Sequence, residues 1–328
     1  MKLIIQIPCY NEEQTLATTL RDLPRDVEGF DSVEWLIVND GSTDATEQVA
    51  RENGVDHILN FAMNQGLARS FIVGLHSCIK LGADIIVNTD ADNQYRGDDI
   101  PTLVAPILAE KADIVVGARP IETIESFSGT KKLLQKLGSW VVRLLSKTDI
   151  PDAPSGFRAI SRDAALRLNV FNDYTYTLET IIQTGQKNLA VTSVPVGVNP
   201  ELRPSRLVKS IPSYVGRSIV TILRMFILYR PFRFFMSTGL FVFLVGFLIG
   251  LRFLFYYLAG DGDGHIQSLI LASILLGVGF QTMLAAFLAD IIAVNRRLME
   301  ETQYRLKRAE YNVGEDHDSS SAQSGAQQ

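Results

Sequence analysis

Asn88-Thr89-Asp90-Ala91-Asp92-Asn93-Gln94 follows directly on the apolar run Asp84-Ile85-Ile86-Val87, and the reading of this junction decides the fold. A short apolar run predicts a buried strand. Alternation along a strand sends residues i and i+2 to one side, so Asp90 and Asp92 can converge on one cation at the strand's C-terminal end. Hard divalent ions such as Mg²⁺ and Mn²⁺ take oxygen ligands and usually bind one or two carboxylates plus phosphates. The pair therefore has the chemistry of a clamp for a metal and a diphosphate. Asp-x-Asp also occurs in solvated turns, so the surroundings must carry the argument.

Working outward, Leu3 to Pro8 reads as a buried strand, Glu12 to Leu23 as a helix, Trp35 to Asn39 as a second strand and Thr43 to Asn53 as a second helix. His57 to Asn60 is a short third strand before a helix from Gly66 to Leu81. A helix near Ile100 to Glu110 and a strand from Asp113 to Gly117 follow the aspartates. Short apolar strands alternating with helices predict an α/β fold with a mainly parallel sheet covered on both faces. Ligands of such sheets sit at the carboxyl ends of strands, near a reversal of strand order. Tyr10-Asn11-Glu12, Asp40-Gly41-Ser42-Thr43-Asp44 and Asp90 to Gln94 all fall there. Capping of the second helix is an alternative use for Ser42 and Thr43, and complementing a helix N-terminus is one for Glu12. No Gly-x-Gly-x-x-Gly follows the first strand and no Gly-Lys-Ser/Thr loop occurs, which argues against dinucleotide and P-loop sites.

Among the 328 residues, 47% are hydrophobic, and the surplus is concentrated late in the chain. Phe234 to Ala259 is apolar except for Arg252, and Ile266 to Ala289 carries no charge. Each run is long enough to cross a bilayer core of about 30 Å, which takes roughly 20 helical residues. The net charge of −5 hides a basic stretch: no Asp or Glu lies between Leu202 and Gly260, while Arg203, Arg206, Lys209, Arg217, Arg224, Arg230 and Arg233 precede the first run. Arg296, Arg297, Arg305, Lys307 and Arg308 follow the second. The positive-inside rule then predicts an integral membrane protein with both termini cytoplasmic. No N-terminal signal sequence is expected, and Cys9 and Cys78 suggest no disulfide framework. Between Leu207 and Tyr229, Ile211, Val215, Ile219, Ile222 and Phe226 share a helical face, as in interfacial amphipathic helices. The tail from Gly314 is Asp-, Ser- and Gln-rich and is expected to be disordered. The boundaries are a cytosolic domain over 1–200, basic interface helices over 201–233, two spans within 234–295, and a basic segment with a tail over 296–328.

Ile7-Pro8-Cys9-Tyr10-Asn11-Glu12-Glu13, Val38-Asn39-Asp40-Gly41-Ser42-Thr43-Asp44, Asn64-Gln65-Gly66 and Asp90-Ala91-Asp92-Asn93-Gln94, in this order, resemble glycosyltransferase family 2 with its GT-A (Rossmann-like) fold. The resemblance covers about residues 1 to 230. With Ser155-Gly156-Phe157-Arg158 downstream and two apolar runs after it, the chain looks most like the polyprenyl-phosphate hexosyltransferases, the group of dolichyl-phosphate mannosyltransferase and undecaprenyl-phosphate glucosyltransferase.

That resemblance implies an inverting transfer of a hexose from a nucleotide diphosphate sugar, UDP-glucose or GDP-mannose, to a polyprenyl phosphate at a cell inner membrane or ER-type membrane. It implies that Pro8, Tyr10, Asn11, Glu12, Asp40, Gly66 and Asp90 line the nucleotide-sugar pocket. Asp90, Asp92 and Gln94 would hold Mg²⁺ or Mn²⁺, and Arg119 would face phosphate. Asp152 and Arg158 belong to the acceptor-side segment; some relatives carry an acid directly before the Phe-Arg pair, where this chain has Gly156, so Asp152 is the nearest substitute for a base. Arg203, Ser205, Arg206 and Lys209 suit the acceptor phosphate. Association into a homo-oligomer is compatible with two spans, and nucleic acid is not an expected partner. Two other readings compete: a catalytically silent membrane scaffold of a glycan assembly complex, and a processive polysaccharide synthase, whose usual Gln-x-x-Arg-Trp motif is missing here.

Overall fold

The structure is a computed structural model and describes residues 1–120, 148, 150–170, 176–200, 220, 223–224, 226–260 and 263–324. The chain divides into two units: Met1–Ser218 together with Thr302–Gln328, and Ile219–Glu301.

In the first unit the described elements run β1 (Lys2–Cys9), α1 (Leu16–Asp22), β2 (Ser32–Asn39), α2 (Thr46–Glu52), β3 (His57–Asn60), α3 (Leu67–Lys80), β4 (Ile85–Asn88), α4 (Ile100–Leu108), β5 (Ile114–Ala118), β6 (Arg158–Ser161), α5 (Arg162–Arg167), α6 (Thr177–Gln186) and β7 (Val191–Pro195). The seven strands form one sheet in the order β3-β2-β1-β4-β6-β5-β7. All pairings are parallel except those of β6, which runs antiparallel to β4 and β5. The strands and helices expected between Leu3 and Gly117 are present, the first three helices starting one to four residues later than their sequence patterns and the fourth at Ile100 as expected. Most of the segment expected to form interface helices, Ile211 and Val215 included, lies outside the described residues. Strands β6 and β7, which carry weaker patterns, complete the sheet.

The unbroken apolar run of β1 follows from burial on both sheet faces. Leu3, Ile5, Ile7 and Cys9 enter the core under α1 and α4, while Ile4 joins Leu36, Val38 and the α3 residues Phe71, Leu75, Cys78 and Ile79 on the other side. On α3 the buried positions recur at helical spacing, so one stripe faces the sheet. Cys9 and Cys78 are buried and unlinked.

The last helix of the chain, α8 (Ile266–Ser324), contributes an arm to this unit from Thr302 onward. The Tyr304 hydroxyl donates to Asp163 Oδ1 at 2.8 Å, and Lys307 Nζ donates to Asn169 Oδ1 at 3.0 Å. The helical backbone runs on to Ser324, through most of the tail expected to be disordered. Extending an existing helix avoids the costly nucleation step, so a polar sequence can continue one it would not start. His76 Nε2 is buried and has no hydrogen-bond partner among the described residues. Burial, then Lys307, Lys80 and Arg69, lowers its pKa to about 4. A folded-state pKa below the ordinary value of about 6.5 means that the unfolded chain binds the extra proton first, so His76 costs stability as pH falls from about 6.5 to about 4. In His76→Gln the unfolding midpoint should fall less over that window than in the wild type, measured by thermal denaturation at each pH.

The second unit is built on α7 (Pro231–Leu258) and the first part of α8. Both helices are long and apolar enough to cross a membrane, and only 11% and 17% of their apolar windows are buried, which is not the pattern of soluble core helices. Their backbones touch through small residues. A Cβ on Gly279 would lie 2.6 Å from Phe243 N, and one on Gly239 would lie 2.8 Å from Met283 N. Ala272 and Ala286 are buried in line with Gly279 at a spacing of seven residues, the repeat that keeps one seam facing a partner helix. Gly279→Leu should therefore force the helices apart and cost roughly 1–3 kcal/mol, read as a lower unfolding temperature in detergent.

Candidate active site

Four parallel strands deliver their C-terminal ends to one sheet edge: β1 leads to Tyr10, β2 to Asp40, β4 to Asp90 and β5 to Arg119. β1 lies between β2 and β4, so the chain changes direction across the sheet there, which leaves a crevice at that edge. β6 runs the other way, and Arg158 at its start pairs with Asn88 at the end of β4. The antiparallel strand thereby brings Ser155, Gly156 and Phe157 to the same edge.

On the β1–β2 side, two loops are laced together. Asn11 has a φ of 55°, in the left-handed region that asparagine tolerates better than most residues. Its Oδ1 accepts from Thr43 N at 2.8 Å, and its own N–H donates to Ser42 Oγ at 2.9 Å. Glu12 N–H donates to Thr46 Oγ1 at 2.8 Å. Ser42 therefore holds the neighbouring loop, and the cap of α2 is supplied by Asp44, which accepts from Thr46 N at 3.0 Å. Burial pushes the Asp44 carboxyl up, but hydrogen bonds from the Thr46 hydroxyl and from nearby amides outweigh it and hold the group below its usual range. Asp40 is buried and accepts from Gln65 N at 2.7 Å and Gly66 N at 2.9 Å. Its carboxylate thus ties down the loop before α3. Gly41, at φ +66°, allows the close approach: a Cβ there would sit 2.5 Å from the Met63 carbonyl carbon. Pro8 is buried inside β1, while Tyr10 is 43% exposed at its end.

The β4 loop carries the aspartates. Asp92 Oδ1 accepts from Gln94 N at 3.2 Å, Thr19 Oγ1 donates to Ala91 O at 2.9 Å, and Asn199 N donates to Gln94 O at 2.9 Å. The loop is thereby fixed at three points. Among the described residues, no hydrogen-bond donor reaches either oxygen of Asp90. Burial, then the Asp92 carboxylate, pushes its pKa up to about 7, against opposing effects of Arg119 and Arg158. Two neighbouring carboxylates that raise each other's cost of ionisation, one of them without a donor, fit a divalent cation, which would satisfy the oxygens and offset the repulsion. Asp90, Asp92 and Gln94 are the residues that could hold it. No group of three or more His, Cys, Asp or Glu suited to a metal occurs among the described residues, so remaining ligands would come from phosphate and water.

Asp152 and Arg119 form a fork. Arg119 Nε and Nη2 donate to the two Asp152 oxygens at 2.8 and 3.1 Å, and the Arg119 backbone N–H adds a third bond at 3.3 Å. The Asp152 side chain has no exposure and that of Arg119 only 12%. Tyr95 and Asp152 outweigh burial and raise the Arg119 pKa above its ordinary value. Arg158 is fully buried: its guanidinium donates to Ser155 O and Ala153 O, both at 2.8 Å, and to Thr180 Oγ1. It clasps the 153–155 backbone from inside the core. The reading of the sequence missed Tyr95, Asn88 and Gln6, which surround this segment; Gln6 and Asn88 were signalled as polar residues in otherwise apolar strands, whereas Tyr95 lies in the loop after β4. Arg203, Ser205, Arg206 and Lys209 lie outside the described residues.

The family model described as Glycosyl transferase family 2 matches residues 4–168. An undecaprenyl-phosphate mannosyltransferase of Micrococcus luteus is 28% identical over 235 residues, covering 68% of this chain and 93% of that protein. A UDP-N-acetylglucosamine–dolichyl-phosphate N-acetylglucosaminyltransferase of Methanococcus voltae is 30% identical, covering 58% and 82%. Among solved structures, glucosyl-3-phosphoglycerate synthase from Mycobacterium tuberculosis in complex with Mn²⁺, UDP and glucosyl-3-phosphoglycerate superposes with a TM-score of 0.54 at 20% identity, covering 69% of this chain and 78% of that one. At that identity the likeness shows the fold, which is of the GT-A kind.

Proposed function

The chain belongs to glycosyltransferase family 2 and is a glycosyltransferase, and from that premise we propose that it moves a hexose from UDP-glucose or GDP-mannose to a polyprenyl phosphate, inverting the anomeric centre. The observation that carries this reading is the Asp90 carboxylate, which no donor among the described residues reaches, beside Asp92 at the switch point of the sheet, in a chain that also contains two long, largely uncovered apolar helices. The polyprenyl- and dolichyl-phosphate chemistry in the names of the relatives supports the acceptor. In this reading α7 and α8 cross the membrane with both chain ends cytoplasmic, and the first unit works at the inner leaflet.

The reaction forms a bond from a lipid phosphate oxygen to the anomeric carbon as the bond from that carbon to the nucleoside diphosphate breaks. A lipid phosphate is largely deprotonated at neutral pH, so little base catalysis is needed. Asp152, bound on three sides by Arg119, acts here as the holder of that guanidinium. Asp90 and Asp92, with Gln94, would hold Mn²⁺ or Mg²⁺, which would supply positive charge to offset that developing on the leaving diphosphate. Arg119 adds a fixed positive charge from the β5 side, in a fork suited to phosphate. Tyr10, Asn11, Glu12 and the Asp40–Gly66 contact shape the nucleotide pocket. Arg158 positions the 153–155 turn from within the core.

Purified protein incubated with Mn²⁺, polyprenyl phosphate and radiolabelled nucleotide hexoses should carry label into the organic phase from one donor. Transfer from none of them would overturn the proposal.

A further inference from the structure

Directly beneath Asp90 lies a chain of buried polar groups that the reaction scheme above does not use. Gln6 interrupts the apolar run of β1 and has no exposure. Its Nε2 donates to Asn88 Oδ1 at 2.9 Å. Asn88, also fully buried, donates through Nδ2 to the Gly156 carbonyl at 2.8 Å and to the Tyr176 hydroxyl at 2.9 Å. From the other side the Gly156 N–H donates to the Tyr95 hydroxyl at 3.0 Å. The N–H and the C=O of one residue, on the two peptide planes that flank its Cα, are therefore both gripped. The grips are themselves fixed, since Tyr95 stacks on Phe157 with ring centroids 5.0 Å apart and Tyr176 stacks on Phe71 at 3.8 Å.

What the gripped residue touches gives the arrangement its meaning. A Cβ on Gly156 would stand 3.1 Å from both oxygens of Asp90 and 3.0 Å from the Tyr176 hydroxyl. The Asp90 carboxylate is thus seated flat against the bare Cα of Gly156. Among the described residues no donor orients it, and the surface it rests on fixes its direction there. Burying several polar groups is costly unless all are bonded, and a fully connected network specifies one geometry. Apolar side chains would fill this space at lower cost, but they could not hold the residue at both its N–H and its C=O.

Resting on the functional reading above, we propose that Tyr95 and Asn88 are positioning residues that lock the Gly156 backbone on both sides of its Cα, and that Gly156 in turn aims the Asp90 carboxylate for metal binding. Its most direct probe is Tyr95→Phe, which removes one oxygen and keeps the ring stack. Gly156→Ala is the second, placing a methyl group where the carboxylate rests.

The experiment measures Mn²⁺ binding by titration calorimetry on the full-length protein in detergent, with UDP present, alongside thermal unfolding and transfer kinetics. Tyr95→Phe should weaken Mn²⁺ binding about 10-fold, as losses around metal ligands commonly do, and lower kcat while the KM for polyprenyl phosphate stays unchanged. Gly156→Ala should weaken Mn²⁺ binding further. A network serving the fold alone would lower the unfolding temperature and leave the Mn²⁺ affinity where it was. Wild-type affinity in both variants overturns the proposal, and so does a wild-type protein that binds no Mn²⁺. A wild-type protein that binds Mn²⁺ and UDP but transfers no sugar sinks the functional reading only, and the proposal is then judged on the Mn²⁺ affinities.

Discussion

Asp92→Ala should fold, retain nucleotide binding and transfer hexose about 1,000-fold more slowly than the wild type, even at saturating Mn²⁺. The size follows from what a bound cation does for a leaving diphosphate. Charge stabilisation of this kind is worth several kcal/mol, and about 4 kcal/mol corresponds to three powers of ten in rate. Asp90 cannot replace the lost ligand alone, because a hard divalent ion held by a single carboxylate loses half its compensating charge at this site. Asp92→Asn should fall between, since its amide oxygen can still coordinate but brings no charge. Initial rates measured across a range of Mn²⁺ concentrations check this: a right-shifted curve with a depressed plateau is expected for the asparagine, and a flat line for the alanine. Residual activity within tenfold of wild type in Asp92→Ala would remove the metal clamp from the reaction. The same variant separates a transferase from a scaffold, because a scaffold would keep its cellular role without the carboxylate.

The parts of the fold that could be read from sequence are those where one local rule acts alone. β1, β2 and β4 are buried on both faces, so their apolar runs announce them, and the polar residues just beyond each strand mark the edge where ligands bind. Asp90 and Asp92 were visible for that reason. β6 was hidden because its first residue is Arg158, a charge that is tolerated only because the carbonyls of Ala153 and Ser155 and the hydroxyl of Thr180 surround it, which no spacing rule reports. The distinct places of Arg119 and Arg158 were equally hidden, since each follows a short Gly-containing stretch in sequence and only the antiparallel pairing of β6 sends one to the site edge and the other into the core. Gln6 and Asn88 stood in the sequence as polar exceptions in apolar strands, and their partners across the sheet came from segments 68 and 82 residues away.

Breaking the Arg119–Asp152 fork should produce the largest loss of stability of any single change near the site, and the pattern of recovery distinguishes the roles of its members. Arg119→Ala leaves a carboxylate with no exposure and two lost side-chain hydrogen bonds, while the backbone N–H at position 119 can still donate. Removing one partner of such a buried pair costs about 3–5 kcal/mol, because the remaining charge loses its main compensating group. Asp152→Ala should cost about as much, by stranding a guanidinium with 12% exposure. Replacing both with apolar residues of similar volume, as in Arg119→Met with Asp152→Leu, should restore much of the stability, since neither charge then remains to be desolvated. Activity should not return with it. If Arg119 supplies charge to the diphosphate and Asp152 only holds it, the double variant is stable and slow, whereas Asp152→Asn, whose amide oxygen can still accept from the guanidinium, keeps part of the rate and an unchanged pH profile. A base at position 152 predicts the opposite: the asparagine variant would lose the rise in rate with pH, and its remaining activity would no longer depend on pH across that limb. Unfolding temperatures of the four proteins, read beside their pH–rate profiles, decide between a carboxylate that takes a proton and one that aims an arginine.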